Sequence, residues 1–142
     1  MLPDIFSCEE SIMQVRACDH PYMDPLSNRL QKKFKKKLEA EMTRDCELEY
    51  EAKLLVFFRE GSCKRVEATS IPNKVVICNE KETKSGFEYV DLAAFFTESQ
   101  SESIEALRLR GWPKIRFGCY LYLWVSQPRK KKDVVVCIFA KR

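Results

Sequence analysis

Residues 112–125 read WPKIRFGCYLYLWV, and this stretch carries the strongest structural signal in the chain. Every odd position from Ile115 to Val125 is apolar, whereas the even positions place Tyr120, Tyr122 and Trp124 on the other side. Side chains alternate between the two faces of a β-strand, so the stretch predicts a long strand with an aliphatic face and an aromatic face. We expect it to be the central strand of a sheet.

A helix is predicted ahead of this strand, at residues 29–42. An apolar residue recurs at every fourth position from Leu30 to Met42, which gives one apolar stripe that can pack on a sheet. Asn28 and Gln31 have the spacing of a capping box, which marks a helix start. The first half of the segment is basic and the part that follows is acidic, an order that opposes the helix macrodipole. We expect this helix to cover the aromatic face of the central strand.

The rest of the chain combines short β-like runs with turns. Runs rich in apolar and β-branched residues, bounded by polar or glycine-containing turns, predict strands and hairpins. They are residues 52–58, 63–69, 74–79, 87–92 and 134–139. Ser99 and Glu102 have capping-box spacing and predict a short helix that continues through Ile104 and Leu107.

Together these elements predict a single α+β domain at residues 29–142. Its architecture is expected to be a mainly antiparallel sheet or β-sandwich, with one long amphipathic helix packed on it and a short second helix. Residues 1–28 contain three prolines and no clean periodicity, so we expect an irregular N-terminal arm there. A chain of 142 residues is long enough to bury a core of its own.

The cysteines and the N-terminus together predict an intracellular protein. Seven cysteines are scattered without close pairs, and several lie in apolar β-like runs, where a free thiol behaves as a small hydrophobe. The N-terminus lacks the basic region and apolar stretch of a secretory signal. We therefore expect reduced cysteines and a cytoplasmic or nuclear location, with peripheral association at membranes as one form of it.

Catalytic and cofactor chemistry finds little support in the sequence. His20 is the only histidine, and no C-x-x-C pair accompanies it, so a metal site is not expected. None of the four glycines lies in a phosphate-binding loop or a dinucleotide fingerprint. The acidic pairs lie in charged, solvated surroundings, which do not produce shifted catalytic pKa values. We predict a protein without enzymatic activity, metal or cofactor.

Basic residues are the candidate functional residues, because the net charge is only +4 but the cations are clustered. One cluster lies in the predicted helix and the other at the tip of the last hairpin. They are Arg29, Lys32, Lys33, Lys35, Lys36 and Lys37 in the helix, and Arg129, Lys130, Lys131 and Lys132 at the tip. These residues predict an intracellular binding or assembly module that docks on an anionic surface, membrane phospholipid first.

Two alternatives remain open at this level. The same lysines could bind RNA or DNA, with Tyr120, Tyr122 and Trp124 as a base-stacking surface if they are exposed. Otherwise the chain could be a protein-interaction subunit whose partner, or second copy, binds residues 1–28.

A segment before the central strand resembles a known family. Residues 86–96, GFEYVDLAAFF, followed by a serine-rich gap and a long strand, resemble the lipid-binding β-sandwich of the C-two superfamily. The aspartate clusters of its calcium-dependent members have no counterpart here. The resemblance implies a β-sandwich and calcium-independent docking on a membrane or a protein.

Overall fold

A computed structural model describes Cys18 and residues 20–83, 89–127 and 130–142; for residues 83, 89–91, 126, 127 and 130 it describes the backbone alone. These parts of the chain hold a 3₁₀ turn at Pro21–Met23, five α-helices and four β-strands. The helices are α1 (Asp24–Leu38), α2 (Cys46–Phe58), α3 (Cys63–Glu67), α4 (Tyr89–Ser99) and α5 (Ser101–Arg108). The strands are β1 (Glu41–Arg44), β2 (Lys74–Thr83), β3 (Lys114–Gln127) and β4 (Lys130–Lys141).

The four strands form one mixed sheet in the order β1-β3-β4-β2. β1 runs parallel to β3, whereas β3–β4 and β4–β2 are antiparallel. β4 lies inside the sheet, and residues 134–140 are all buried. A strand that is buried on both faces has a continuous apolar run, as this one does.

Helices cover both faces of the sheet and give three layers. The helices α1, α4 and α5 pack on one face, and α2 and α3 pack on the other. The predicted α+β class is therefore confirmed. The prediction of a mainly antiparallel sheet is confirmed only in part, because two of the three strand pairings are antiparallel but β1 joins in parallel and makes the sheet mixed. The alternative of a β-sandwich is not found, since no second sheet lies in the described ranges. The prediction of one long helix with one short helix is replaced by five helices among the described residues.

The helix α1 begins and ends earlier than predicted. It starts at Asp24, with Pro25 in its first turn, and Asn28 does not cap it. It ends at Leu38 because Glu39 takes a left-handed conformation (φ 53°), and Met42 belongs to β1. The helix therefore carries Asp in its first turn and lysines in its last turn, the order that the macrodipole favours. Residues 21–28, placed in the predicted irregular arm, form the 3₁₀ turn and the start of α1, whereas residues 1–17 and 19 lie outside the described part.

Three predicted strands are helices in the structure. Residues 52–58 alternate in hydrophobicity, but Leu48, Ala52 and Val56 also recur every four residues and are the buried apolar side chains of α2. The carboxylate of Asp45 accepts a hydrogen bond from the Leu48 N–H and caps this helix. Residues 63–67 form α3, and residues 89–92 of the predicted strand 87–92 belong to α4. The expected β-sandwich of the C-two type is therefore wrong for this segment.

The long strand is confirmed as β3, but its two faces are covered in the opposite way to that predicted. α1 packs on the aliphatic face, where the ring of Phe34 lies 5.8 Å from that of Phe117 and 5.1 Å from that of Phe139. The aromatic face lies under α2 instead. Gly118 makes this possible, because an added Cβ there would lie 2.1 Å from the Glu49 backbone nitrogen.

Ion pairs connect β1 to both helical layers. The Arg44 guanidinium binds Asp24 at 2.6 Å, at the start of α1, and Glu49 at 2.8 Å, in α2. Burial opposes the charge on Arg44, but its hydrogen bonds to the two carboxylates outweigh this and raise the pKa of the guanidinium. Because the Glu49 side chain is buried, loss of Arg44 would leave a buried carboxylate without this counter-ion.

The six described cysteines form three disulfides, Cys18–Cys46, Cys63–Cys78 and Cys119–Cys137. Disulfides form and persist in oxidising compartments, such as the extracellular space, and are rare in the cytosol. The prediction of reduced cysteines in a cytoplasmic or nuclear protein is therefore wrong. The intracellular docking module that we predicted, with its membrane phospholipid or nucleic-acid partner, is withdrawn with it.

We expect Gly118→Ala to destabilise the fold strongly, by about 3 kcal/mol or more, because the new methyl group would overlap the backbone of Leu48 and Glu49 and α2 would have to shift. Urea unfolding with the disulfides intact measures this loss. Gly111→Ala is the matched control, because its Cβ meets nothing within 4 Å and only its left-handed φ of 71° carries a cost, about 1–2 kcal/mol. Equal losses in the two variants would contradict the close packing of α2 on β3.

The disulfide assignment predicts the number of reactive thiols. Alkylation of the unfolded, unreduced protein should modify no more than one of its seven cysteines, since six are paired. Reduction before alkylation should expose all seven, and intact-mass spectrometry counts both. Three or more modified cysteines without reduction would contradict the assignment.

Asp133 in β4 predicts a pH dependence of stability. It is 2% exposed, and burial raises the pKa of its carboxyl group, an effect that the charge of Lys81 on β2 opposes. A raised pKa means that the folded state favours the protonated form, so this contribution to stability is present at low pH and is lost as pH rises through the folded-state pKa. Asp133→Asn should therefore melt at a higher temperature than the parent at pH 7, and the difference should shrink below about pH 4. A difference that is the same at both pH values would contradict this assignment.

Candidate anion-binding pocket

The predicted helical cations lie on the surface of α1. Lys33 is half-buried, and the other five of the set (Arg29, Lys32, Lys35, Lys36 and Lys37) are exposed. Within the described part of the chain, none of these six cations forms an ion pair. Their charges are therefore available to a ligand.

The second predicted cluster is only partly visible. Arg129 lies outside the described residues, and Lys130 is described by its backbone alone. Lys131 is exposed, whereas Lys132 binds Glu80 at 2.6 Å and is thereby neutralised.

The structure does not bring the two basic clusters together. α1 leads into β1 beside the start of β3, where the Glu41 N–H donates to the Pro113 carbonyl. Lys132 pairs with Trp124 near the other end of β3. Phe34, in the middle of the helical cluster, packs on Phe117, and seven residues of β3 separate Phe117 from Trp124, about 23 Å at 3.3 Å per residue. They do not form one binding surface.

The aromatic side chains of β3 are largely covered. Tyr120 is 4% exposed, and Tyr122 makes an edge contact with Phe57 of α2 at 4.9 Å. Trp124 lies against Gly61, whose added Cβ would meet the indole ring at 2.7 Å. These rings pack between the sheet and α2, so the predicted base-stacking surface is not available.

His20 lies at the edge of the same aromatic layer. Its ring contacts Tyr22 and Tyr120 edge-on, and its Nε2 lies 3.1 Å from the Lys53 ammonium group. Among the described residues, no group of three or more His, Cys, Asp or Glu side chains is arranged to hold a metal ion. The absence of a metal, a cofactor and an enzymatic activity stays a prediction from the sequence, as does a protein partner or second copy that binds residues 1–28.

A concave site lies at the end of the sheet where β3 begins. It was not predicted from the sequence. Its floor is a row across three strands, since Ala140 of β4 pairs directly with Lys74 of β2 and with Arg116 of β3. Directly opposite residues share a face of the sheet and lie about 5 Å apart. Ala140 itself is only 3% exposed, because it belongs to the core that α2 covers. The pocket that these three residues help to line has a volume of about 550 Å³.

The walls of this pocket are basic and carry one indole ring. Arg110, in the turn after α5, places its guanidinium over the ring of Trp112 at 5.5 Å. Lys141 and Arg142 at the end of β4 also line the pocket, and the Arg142 guanidinium donates to the Thr43 hydroxyl oxygen. The described residues of the lining include no acidic side chain.

The five cations of the pocket differ in how far they are neutralised. Lys74 binds Glu51 at 2.8 Å, and Arg116 binds Asp45 at 2.8 Å. The other three are Arg110, Lys141 and Arg142, and none of them forms an ion pair with a described carboxylate. The pocket therefore has an excess of positive charge, which suits an anion.

Sequence reasoning missed this site because its cations are far apart along the chain, at positions 74, 110, 116, 141 and 142. A search for runs of lysine finds α1 and the hairpin tip but not these residues. The available signal was their position, because most of them lie at or next to the first or last residue of a strand.

No family model matches the sequence, and no curated protein sequence matches it. Among solved structures the chain is similar to the Ancylostoma-secreted protein Ac-ASP-7, with 19% sequence identity and a TM-score of 0.44; the match covers 89% of this chain and 73% of that chain. A similarity at this level carries no conclusion about fold, family or function. No described helix has the length and apolar character needed to cross a membrane.

Proposed function

We propose that the chain is a binding protein of an oxidising, extracellular compartment, and that its end-of-sheet pocket holds a small molecule with a sulfate or phosphate ester group. The observation that carries the proposal is a pocket of about 550 Å³ with five cations and no acidic side chain among its described lining residues. Three of these cations form no ion pair with a described carboxylate. Small-molecule sites are typically concave clefts in which a few polar groups orient the ligand. The three disulfides support the choice of compartment.

Arg110 is the residue that best explains a preference for tetrahedral oxyanions. A guanidinium presents several N–H donors in a fixed plane and binds phosphate-like groups through two parallel hydrogen bonds. Stacking on Trp112 restricts the orientation of the Arg110 side chain before a ligand arrives, which lowers the entropy cost of binding. Lys141, which also lines the pocket, adds a second cation that forms no ion pair with a described carboxylate.

The proposed role is binding without chemistry. The described residues that line the pocket supply no side-chain carboxylate, imidazole or thiol that could act as a general base or nucleophile. Trp112 is half-buried, because it packs on the core and Arg110 lies over its ring. The part of the indole that stays exposed can contact the organic part of the ligand, so the ester is expected to bind better than the free inorganic anion.

Calorimetric titration of the disulfide-intact protein with 4-nitrophenyl sulfate and 4-nitrophenyl phosphate tests the proposal. We expect at least one of them to bind, and Arg110→Ala/Lys141→Ala to weaken that binding by at least about tenfold, since one charge-assisted hydrogen bond contributes about 1.5–3 kcal/mol. Lys64→Ala/Lys131→Ala, which removes two exposed lysines outside the pocket, is the matched control and should bind as the parent does.

A comparison of the binding of the esters with that of 4-nitrophenol shows whether the pocket recognises the anionic group or the aromatic ring. Binding of 4-nitrophenol as strong as that of both esters would contradict recognition of the anion. Absence of binding for both esters, or equal losses in the pocket variant and the control, would overturn the proposed site.

A further inference from the structure

The solvent-facing side of α1 carries a row of cations that is separate from the pocket. The row consists of Arg29, Lys32, Lys33 and Lys36. Residues spaced i, i+3, i+4 and i+7 lie on one face of a helix, and this face extends about 10 Å at 1.5 Å per residue. The opposite face of α1 is buried through Leu26, Leu30, Phe34 and Leu38. The cations therefore form a straight row on a convex surface.

The fold itself does not account for most of this row. Lys36 lies in the last turn of α1, where the macrodipole stabilises a cation. Arg29, Lys32 and Lys33 lie outside that turn and form no ion pair with a described carboxylate. Like charges four residues apart, such as Arg29 with Lys33 and Lys32 with Lys36, each destabilise a helix by about 0.2–0.5 kcal/mol.

We propose that this row binds the chain of a sulfated polysaccharide. A convex row without walls cannot enclose a small molecule, but it can follow a linear polyanion whose charges repeat along its length. The binding free energy then comes mainly from the release of counterions from the polymer, which requires no fitted pocket. The three disulfides indicate an oxidising, extracellular compartment, so the polyanion should be one that occurs there. A polysaccharide that carries sulfate groups is an extracellular polyanion of this kind.

Two variants with the same change in net charge test the role of the row. Arg29→Gln/Lys32→Gln removes two cations from it, whereas Lys35→Gln/Lys37→Gln removes two cations from other sides of the same helix. Glutamine preserves helix propensity in both. We expect the first variant to elute from heparin at lower salt than the second, and its plot of log affinity against log salt concentration to lose about one to two units of slope relative to the parent. Circular dichroism confirms that both variants are folded.

The result is distinguishable from other modes of anion binding. Equal losses of heparin affinity in the two glutamine variants would mean that only the net charge matters, and would overturn the assignment of binding to this row. The pocket variant Arg110→Ala/Lys141→Ala should keep the heparin affinity of the parent. If the pocket variant lost heparin affinity while Arg29→Gln/Lys32→Gln retained it, the assignment of heparin binding to the row on α1 would also be overturned. Failure of the parent to bind heparin, or tighter binding to phosphatidylserine vesicles or to single-stranded DNA of equal charge, would overturn the choice of polymer.

Discussion

Burial of β4 on both faces is the constraint on which the rest of the structure depends. Its seven residues from 134 to 140 are all apolar and all buried, so each face of the sheet must be covered by other parts of the chain. The helices α1, α4 and α5 supply one cover, and α2 and α3 supply the other. Arg44 then joins both covers to the sheet through Asp24 and Glu49. The three layers are a consequence of one strand that has no polar face.

The parts of the fold that could be predicted are those in which one periodicity dominates. Alternation along β3 and the apolar run of β4 have no reasonable helical interpretation, and both strands and their hairpin were correctly predicted. Residues 52–58 satisfy both periodicities, since Ala52 and Val56 fit a strand and a helix equally well. The deciding signal was the Asp45 cap upstream, which the strand interpretation ignored. Which face of β3 meets which helix depends on Gly118, whose role is visible only when α2 lies against it.

The candidate sites divide in the same way. The cations of α1 are adjacent in sequence, so their clustering was visible without a structure, whereas the pocket assembles residues from β2, the turn after α5, β3 and the end of β4. The predicted cytoplasmic or nuclear location was wrong for a related reason. Scattered cysteines were interpreted as free thiols because none is close to another in sequence, but Cys119 and Cys137 face each other across an antiparallel pair. Antiparallel pairing brings distant positions together, and a sequence reveals this only when the register is known.

The disulfide between Cys119 and Cys137 has a consequence for the precision of the pocket. It connects two directly paired positions of β3 and β4, so these strands cannot slip past each other by even one residue while the bond is intact. A slip of one residue would turn every side chain of a strand to the other face. Arg116 and Ala140 lie only three residues from the bonded cysteines on their respective strands. The disulfide in the core therefore fixes the register between β3 and β4, and with it the side chains that reach the floor of the pocket.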